Sequence, residues 1–346
     1  MADVARLAGV SHQTVSRVLN DHPHVTGATR AKVERAIQQL GYRRNTAARA
    51  LVTRSTGVLG VVSVGSSNYG PANTLIGIET AARAEGYSVS FVSVERVDRA
   101  SMRGALDHLT GAGVDGILVL SPTRSAVEAV RGLSADVPVV TIGGTTSEGR
   151  PTVVIDQVRG ARLATAHLLD LGHRTVHHVR GPDDWLEAEA RVAGWRAELG
   201  ARGVPVPDLL VGDWTAASGH AAGTHLARDL DMTAVFVAND QMALGLLLAL
   251  SDAGRSVPGD ISVVGFDDIP EASYFRPPLT TVRQDFAALG RRCLGQLVAL
   301  IQQAPVGSGA AIVPELVVRA STARAPRTRQ TSGTTSAIES STRPGR

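Results

Sequence analysis

The sequence has almost no cysteine and no long apolar run. Cys293 is the single cysteine of 346 residues, so no disulfide framework can form, which fits a reducing cytosol. The longest apolar run, residues 242–250, is far shorter than a membrane span and contains Gly245. A basic, apolar leader is lacking too, since Asp3 follows closely on the first residue. These absences predict a soluble, cytoplasmic protein that makes no membrane contact.

Common catalytic signatures are lacking as well. The sequence has no GxSxG, GxxxxGK[ST], HExxH or CxxC pattern, and Gly143, Gly144 and Gly149 do not have the spacing of a dinucleotide-binding loop. His177 and His178 are neighbours in an apolar segment, where strand alternation sends the two rings to opposite faces. That disfavours a joint metal site. We therefore expect no enzyme activity, no cofactor and no metal.

Charge is distributed unevenly along the chain. Residues 1–54 hold nine Lys and Arg against three Asp and Glu, whereas residues 55–320 hold 21 against 28. Residues 321–346 hold five against one. A small basic head on an acidic body suggests a polyanion as the partner of the head alone. The alternative is a solvated surface on which positive charge happens to cluster.

The head is predicted to be helical. Residues 2–8 and 11–19 form two short helices separated by a glycine, and Thr26 suits the N-cap of a third helix that ends before Gly41. On the second helix, one face is entirely polar, and its side chains suit the edges of bases in the major groove of DNA. A helix, a tight turn and a second helix with such a face predict a helix-turn-helix. A solvated amphipathic helix is the alternative.

Beyond residue 57, short β-rich segments such as VLGVVSV, DGILVL and AVFVAN alternate with amphipathic helical segments. This alternation predicts parallel sheets with helices on both faces, and nine or more strands are too many for one comfortable sheet. We therefore expect an α/β body of two lobes behind an all-α head. The predicted domains are a helix-turn-helix head at 1–44, a hinge helix and linker at 45–56, a core at 57–320 (N-lobe about 57–155 plus 286–316, C-lobe about 156–285) and a disordered tail at 321–346.

Several long motifs resemble the LacI/GalR family of transcriptional regulators. The head contains DVARLAGVSHQTVSRVLN, and the body contains RVAGW, VANDQMALG, DISVVGFDD and PPLTTVRQDF. The resemblance extends to about residue 320. It implies a body like the periplasmic binding proteins, with two doubly wound parallel sheets and a small carbohydrate bound between them as the signal.

The resemblance also implies the DNA contacts. His12, Gln13 and Arg17 match base-reading positions, although His12 stands where one member of the family has a Tyr, so a different operator base pair is expected there. The implied phosphate contacts are Ser11, Thr14, Ser16, Asn20 and Thr29. Asn45, Ala48 and Leu51 match a hinge helix that orders on operator DNA and inserts its Leu into the minor groove. A core role for that Leu is the alternative.

Polar and aromatic residues of the body are candidates for binding a sugar. Amide and carboxylate groups after strands can bind paired hydroxyls, an arginine supplies a forked donor, and aromatic rings offer flat faces. The resemblance implies the ligand contacts Arg191, Trp214, Asn239, Asp267, Gln284 and Phe286. Taken singly, each has a structural alternative: a helix cap, a core ring or an ion pair.

Two positions depart from the family pattern. Gly143 stands where that same member has an Asp that contacts the sugar, and Ile155 stands where it has an aromatic residue. We expect a galactoside-like ligand with altered specificity, which acts as an inducer or, alternatively, as a corepressor. The partners implied are a pseudo-palindromic operator and a second copy of the chain. Residues 321–346 contain no Leu, so a tetramerising Leu-heptad helix is absent and a dimer is expected.

Overall fold

Three helices pack together at the start of the chain: α1 (Ala2–Ala8), α2 (His12–Leu19) and α3 (Gly27–Gln39). The structure is a computed structural model and describes residues 1–19, 22–42, 55–64, 67–143, 151–307 and 310–326. The head has its own small core of Val4, Ala5, Val15, Val18, Val33 and Ala36. Thr26 caps α3 by accepting from the Thr29 amide, and Gly41 has a φ of 55°, as predicted for both.

The first lobe of the body, the N-lobe, is built on a parallel sheet of five strands in the order β2-β1-β3-β4-β5. Its strands are β1 (Val58–Val64), β2 (Ser88–Val94), β3 (Gly116–Leu120), β4 (Val139–Ile142) and β5 (Thr152–Val153). Its helices are α4 (Tyr69–Ala84), α5 (Arg99–Gly111), α6 (Arg124–Val130) and α11 (Phe286–Ile301). All five residues of β3 are buried, as expected of a central strand covered on both faces.

The second lobe, the C-lobe, has a six-stranded sheet in the order β11-β10-β9-β8-β6-β7. Its strands are β6 (His177–Arg180), β7 (Leu209–Val211), β8 (Ala234–Val237), β9 (Ser262–Asp267), β10 (Thr280–Arg283) and β11 (Glu315–Val317). Its helices are α7 (Gln157–Asp170), α8 (Leu186–Ala201), α9 (Ala216–Leu226) and α10 (Asp240–Asp252), followed by a 3₁₀ turn at Pro270–Tyr274. Among the described strands of this sheet, only β11 runs antiparallel to its neighbour.

Helices cover both faces of each sheet, so each lobe has two layers of core. In the N-lobe, α4 and α11 bury one face while α5 and α6 bury the other. In the C-lobe, the corresponding pairs are α9 with α10 and α7 with α8. The prediction of a helical head followed by two doubly wound α/β lobes is therefore confirmed. A cleft lies between the carboxyl ends of the two sheets, where such folds bind ligands.

The chain crosses between the lobes after β5, after β10 and after α11. A parallel bridge joins Ile155 to Ile312 where the first and third crossings lie side by side. The third crossing comes earlier than predicted, because β11 begins at Glu315 and Leu316 packs in the C-lobe core. The predicted N-lobe boundary at residue 316 is therefore wrong by a few residues.

The predicted disorder of the tail from residue 321 is also wrong for residues 321–326. Ser321 is fully buried, and its hydroxyl donates to Val263 O at 2.6 Å. The His173 ring contacts Ala323 O at 3.2 Å, and Ala325 N donates to Leu171 O at 3.0 Å. Hydrogen bonds from one hydroxyl and from backbone groups hold this segment on the C-lobe, and the polar composition of the tail gives no sign of them.

His177 and His178 point to opposite faces of β6, as strand alternation predicts. His178 is fully buried and stacks 4.5 Å from Phe236, and burial lowers its pKa to about 3. His177 is partly exposed and lies near Asp229. Across the described residues, no helix combines the length and the apolar character needed to cross a bilayer.

Candidate nucleic-acid interface and ligand cleft

The second helix of the head presents a polar, solvent-facing surface. Val15 and Val18 are buried against α1 and α3, whereas His12, Gln13 and Arg17 are exposed on the other side. The backbone periodicity of α2 thus separates a packing face from a face that is free to enter a groove. All three predicted base-reading side chains therefore lie together.

The predicted phosphate contacts lie at helix starts. Ser11 Oγ lies 2.8 Å from Thr14 Oγ1 and accepts from the Thr14 amide at 3.1 Å, so Ser11 caps α2. Thr29 is in the first turn of α3, with its hydroxyl 2.9 Å from that of Thr26. Helix starts carry unpaired amides that favour phosphate. Ser16 is half-buried on α2, and Asn20 lies outside the described residues.

The predicted hinge residues Asn45, Ala48 and Leu51 also lie outside the described residues. The chain is described again from Ser55, where three successive residues are tied to one carboxylate. Asp115 accepts from Ser55 Oγ at 2.7 Å, from the amide and hydroxyl of Thr56 at 2.7 and 2.9 Å, and from Gly57 N at 2.9 Å. These hydrogen bonds keep the pKa of Asp115 low despite its partial burial. The linker is therefore fixed to the N-lobe at Asp115.

Four side chains on the C-lobe side of the cleft form a closed ring of polar contacts, which we call the polar ring. Gln284 Nε2 donates to Asp267 Oδ1 at 2.7 Å, and Gln284 Oε1 accepts from Gln157 Nε2 at 2.8 Å. Gln157 Oε1 accepts from Arg191 Nε at 2.9 Å, and Arg191 Nη2 lies 3.7 Å from Asp267 Oδ1. All four residues are buried. The ring therefore holds the Asp267 carboxylate and the Arg191 guanidinium in fixed positions.

The fold brings these four residues together from distant parts of the chain. Asp267 ends β9 and Gln284 follows β10, so both lie at the carboxyl edge of the sheet. Arg191 projects from α8, and Gln157 begins α7 directly after the first crossing between lobes. The Arg191 guanidinium also lies over the Phe266 ring, with its central carbon 3.9 Å from the ring centroid. This cation–π contact is a further restraint on the position of the guanidinium.

Aromatic rings enclose the space in front of the polar ring. Trp214 has a φ of 74° and lies edge to face with Trp185 at 5.6 Å. Asn239 caps α10 and donates to Trp214 O at 3.0 Å, so it also positions that loop. These three residues and Tyr69 line a cavity of about 180 Å³, which we call the polar pocket. Arg191 and Asp267 of the polar ring line the same cavity. Aromatic faces beside paired polar groups suit the two sides of a sugar ring.

The N-lobe side of the cleft is different. A second cavity of about 590 Å³, the apolar pocket, adjoins the polar pocket at Gly70, Pro71 and Glu187. Its walls are mainly apolar: Leu120, Pro122, Ile142, Val153, Ile155, Leu186, Phe286 and Leu289. The two departures predicted from the sequence, Gly143 and Ile155, both line it. The predicted contact Phe286 therefore belongs to this pocket rather than to the polar one.

Burial and like charge set the protonation behaviour of the polar side. Burial raises the pKa of Asp267 to about 7, against the opposing effect of Arg191. Burial, together with the nearby Asp267, also raises the pKa of Asp240 well above its ordinary value. Burial, together with the negative charge of Asp267, raises the pKa of Tyr69 to about 12. Asp267 can thus either accept from or donate to a ligand hydroxyl near neutral pH.

The two lobes touch directly at one rim of the cleft. Thr123 and Trp185 form an antiparallel bridge, in which Arg124 N donates to Asp184 O at 2.9 Å. Ser125 Oγ donates to Asp184 Oδ2 at 2.5 Å, and Arg124 pairs with Glu189. We call this contact the rim bridge. Because Trp185 is part of it, the rim bridge links lobe position to the wall of the polar pocket.

Five of the predicted ligand contacts lie in contact with or close to one another in the structure: Arg191, Trp214, Asn239, Asp267 and Gln284. Gln284 does not line the polar pocket; it donates to the Asp267 carboxylate and so orients it. Sequence reasoning missed Gln157, Tyr69, Trp185 and Glu187. A signal existed for Gln157, since it opens a helix directly after a strand end.

A basic helix-turn-helix joined to a two-lobed body with a ligand-sized cleft defines a DNA-binding regulatory protein. Residues 1–45 match the family described as "Bacterial regulatory proteins, lacI family", and residues 165–322 match a "Periplasmic binding protein-like domain". The lactose operon repressor of Escherichia coli (strain K12) is 34% identical over 333 residues, which cover 95% of this chain and 92% of that protein.

Solved structures agree with this comparison. A lac repressor dimer bound to operator and the anti-inducer ONPF is similar with a TM-score of 0.81 and 34% identity, over 93% of this chain and 98% of that chain. A complex of the transcriptional regulator CelR with cellobiose has a TM-score of 0.69 and 34% identity, over 92% and 98%. The chain belongs to the lacI family of bacterial regulatory proteins and is a DNA-binding transcriptional regulator.

Proposed function

We propose that this regulator is a repressor whose affinity for operator DNA is lowered by a small carbohydrate bound in the cleft. The observation that carries the proposal is the polar pocket. It combines a buried carboxylate and guanidinium held by the polar ring with the aromatic rings of Trp185 and Trp214. Hydroxyl groups that bind such fixed polar groups are recognised strongly, because their loss leaves buried partners unpaired.

A galactoside-like sugar is the first candidate. The C-lobe residues implied by the family resemblance are all present, which supports a pyranose between Asp267, Arg191 and the Trp214 ring. On the N-lobe side, Gly143 and Ile155 offer neither a hydroxyl acceptor nor an aromatic face. The similar proteins named above concern a lactose operon and a cellobiose complex, so the choice among sugars has to be measured.

In this proposal the head reads DNA through α2. His12, Gln13 and Arg17 contact base edges, of which the Arg17 guanidinium suits guanine O6 and N7. The proposed phosphate contacts are Ser11, Thr14, Ser16, Asn20 and Thr29, and the proposed hinge contacts are Asn45, Ala48 and Leu51. Two copies of the chain bind the two halves of a pseudo-palindrome. Exposed apolar side chains on both lobes, Ile76 and Leu248 among them, support a homodimer.

The body then controls the head through the position of the lobes. A sugar that binds more tightly to one arrangement of the lobes moves the N-lobe relative to the C-lobe. Because the linker is hydrogen-bonded to Asp115 of the N-lobe, the linker moves with it. By linkage, sugar and operator weaken each other's binding by the same factor. A corepressor would have the opposite sign, with sugar strengthening operator binding.

The DNA part of the proposal is tested by electrophoretic shift of a palindromic duplex at several salt concentrations. We expect salt-sensitive binding that is lost when residues 1–54 are deleted. Arg17→Ala should weaken specific binding about 10- to 100-fold and relax base preference. Arg35→Ala is the matched control, since Arg35 is exposed on α3 and bonds to Ala31 O. Equal losses for the two variants would argue against base reading by Arg17.

The sugar part is tested by thermal-shift screening against mono- and disaccharides, followed by the DNA shift in the presence of any sugar that stabilises the protein. Release of DNA identifies an inducer, and tighter binding identifies a corepressor. If no sugar in the panel raises the unfolding temperature, the proposal that a carbohydrate binds in the cleft is wrong.

A further inference from the structure

The backbone at Asp267, whose carboxyl group lines the polar pocket, has an unusual conformation. Asp267 has a φ of 110° and Asp268 has a φ of 55°. Residues with side chains rarely adopt positive φ, and two in succession persist only where the surroundings impose them. The Asp267 carboxylate faces the polar pocket because the chain turns in this way at the end of β9. Whatever imposes the turn therefore aims Asp267.

Asp268 is held on both oxygens by two arginines. Arg283 Nε donates to Asp268 Oδ2 at 2.6 Å, and Arg319 Nη2 donates to Asp268 Oδ1 at 2.7 Å. The Asp268 side chain is only 8% exposed, so these charge-assisted bonds hold its carboxylate in one orientation. Asp267 is therefore held from two sides. Its neighbour in the chain, Asp268, is fixed by the two arginines, and Gln284 donates to the Asp267 carboxylate itself.

Arg319 is the more firmly held of the two arginines. Its side chain is 17% exposed, against 50% for Arg283, so its ion pair is screened less by solvent and salt. Arg319 Nη1 also donates to Leu279 O at 2.8 Å, and its backbone amide donates to Thr280 Oγ1 at 2.9 Å. Arg319 therefore reaches Asp268 from a fixed base.

That base is the segment of residues 318–326, which we call the strap. Ser321 is fully buried in it and accepts from Thr280 N at 2.8 Å while donating to Val263 O. The strap thus lies beside the amino ends of β9 and β10 in the C-lobe sheet. Its contacts make the position of Arg319 a property of the folded lobe rather than of a free terminus.

We propose that Arg319 is a positioning residue for the ligand: through Asp268 it holds the turn that aims the Asp267 carboxylate into the polar pocket. The proposal deepens the proposed function, since it names a specificity determinant of the same site. It assigns a role in ligand recognition to the segment beyond the last strand. A purely structural ion pair is the alternative.

The direct test is a crystal structure of full-length Arg319→Met, whose side chain keeps length but loses the donors. We expect the positive φ values at Asp267 and Asp268 to relax and the 2.7 Å contact between Asp267 and Gln284 to open. Unchanged geometry at these residues would overturn the proposal. This measurement needs no ligand, so it decides the matter even if no sugar binds the wild-type protein, a result that would count against the proposed function alone.

The functional test is calorimetric titration with lactose and with cellobiose. Arg319→Met should bind whichever sugar the wild type binds about tenfold more weakly, while Arg319→Lys, which keeps a charge within reach of Asp268, should recover most of the affinity. Arg324→Met is the matched control, because Arg324 is an exposed arginine of the same strap. Equal losses for Arg319→Met and Arg324→Met would contradict a specific role.

A double-mutant cycle separates positioning from general stability. If Arg319 acts through Asp268, then the double variant Arg319→Met/Asp268→Asn should lose no more sugar affinity than Asp268→Asn alone. Multiplied losses in the double variant would mean that Arg319 acts by another route. Operator affinity without sugar should stay within about twofold in all three variants; parallel loss of DNA binding would indicate a folding defect and overturn the positioning role.

Discussion

The two walls of the cleft differ in kind. The C-lobe wall holds a carboxylate and a guanidinium in a ring of buried side chains and covers them with tryptophan. The N-lobe wall is a larger, mainly apolar space lined by Ile142, Ile155 and Phe286. One wall therefore supplies directional contacts, whereas the other supplies volume and apolar surface.

This difference assigns separate tasks to the lobes. Directional contacts discriminate between hydroxyl patterns, because an unmatched buried polar group costs about 1–3 kcal/mol. An apolar wall discriminates weakly among shapes that fit. We therefore expect the C-lobe to decide which sugar ring is recognised. The N-lobe, which carries the linker at Asp115, transmits the result to the head.

The largest expected effect comes from replacing the carboxyl group at the centre of the polar wall. Asp267→Asn keeps the shape of the side chain but loses one oxygen that can bind a ligand hydroxyl, and should weaken sugar binding about 100-fold. Calorimetric titration measures this. Asp183→Asn is the control, since Asp183 is an exposed carboxylate of the same lobe. A loss of threefold or less in Asp267→Asn would mean that the polar wall does not dominate recognition.

The second prediction makes the apolar wall more like the polar one. Gly143→Asp places a carboxylate at a position where this sequence departs from the family pattern. The carboxylate can accept from a sugar hydroxyl and should strengthen galactoside binding about tenfold. Gly143 has a φ of 78°, so the variant also loses about 1 kcal/mol of stability. Gly143→Ala carries the same backbone strain without the carboxylate, so the affinity ratio of the two variants isolates the acceptor. A ratio near one would show that no hydroxyl reaches this wall.

The third prediction concerns the rim bridge, where the two walls meet. Asp184→Ala removes the acceptor of Ser125 but leaves both pockets intact. It should weaken sugar binding about threefold, through a faster off-rate, because an exposed contact contributes about 1 kcal/mol or less to holding the lobes together. Stopped-flow release measures this. Asp183→Ala, which removes the neighbouring carboxylate on the C-lobe alone, should leave the off-rate unchanged.

The smallest expected effect is on the pH dependence of stability. The pKa of Asp267 is raised to about 7 in the folded protein, so the native state holds a proton that the unfolded chain releases near pH 4. Its contribution to stability is present below pH 4 and is lost as pH rises toward 7. The unfolding temperature of the wild type should fall by about 3 °C between pH 5 and 8.

The matched variant for this measurement is again Asp267→Asn, which should fall less over the same range because its side chain does not titrate. Asp183→Asn should follow the wild type. Parallel pH profiles for the wild type and Asp267→Asn would show that Asp267 does not titrate in this range.

The sequence was sufficient for the architecture and for most of the polar wall. The alternation of apolar strands and amphipathic helices predicted two lobes, and long motifs around Arg191, Asn239 and Asp267 marked one wall of the site. The sequence predicted nine or more strands, and the residues that the structure describes form eleven, in two sheets.

The missed site residues are explained by the tertiary structure. Trp185 and Tyr69 reach the polar pocket from opposite lobes, so their proximity is set by the lobe arrangement and not by local spacing. Gln157 joins the polar ring because the chain crosses between lobes just before it. Residues 321–326 of the strap were predicted to be disordered from the polar composition of the tail, yet Ser321 is buried and hydrogen-bonded to backbone groups of the C-lobe, which composition alone does not reveal.

The placement of the tryptophans gives this protein a built-in optical probe. The chain has three tryptophans. Trp195 is fully buried, with its indole nitrogen bound to Val176 O at 2.8 Å. Trp185 and Trp214, in contrast, pack edge to face in the wall of the polar pocket, and Arg191 lies 5.5 Å from the Trp214 ring. A molecule that enters this space changes the surroundings of two emitters and leaves the third as an internal reference. Occupancy can therefore be followed from intrinsic fluorescence in the unmodified protein, without a label on either partner.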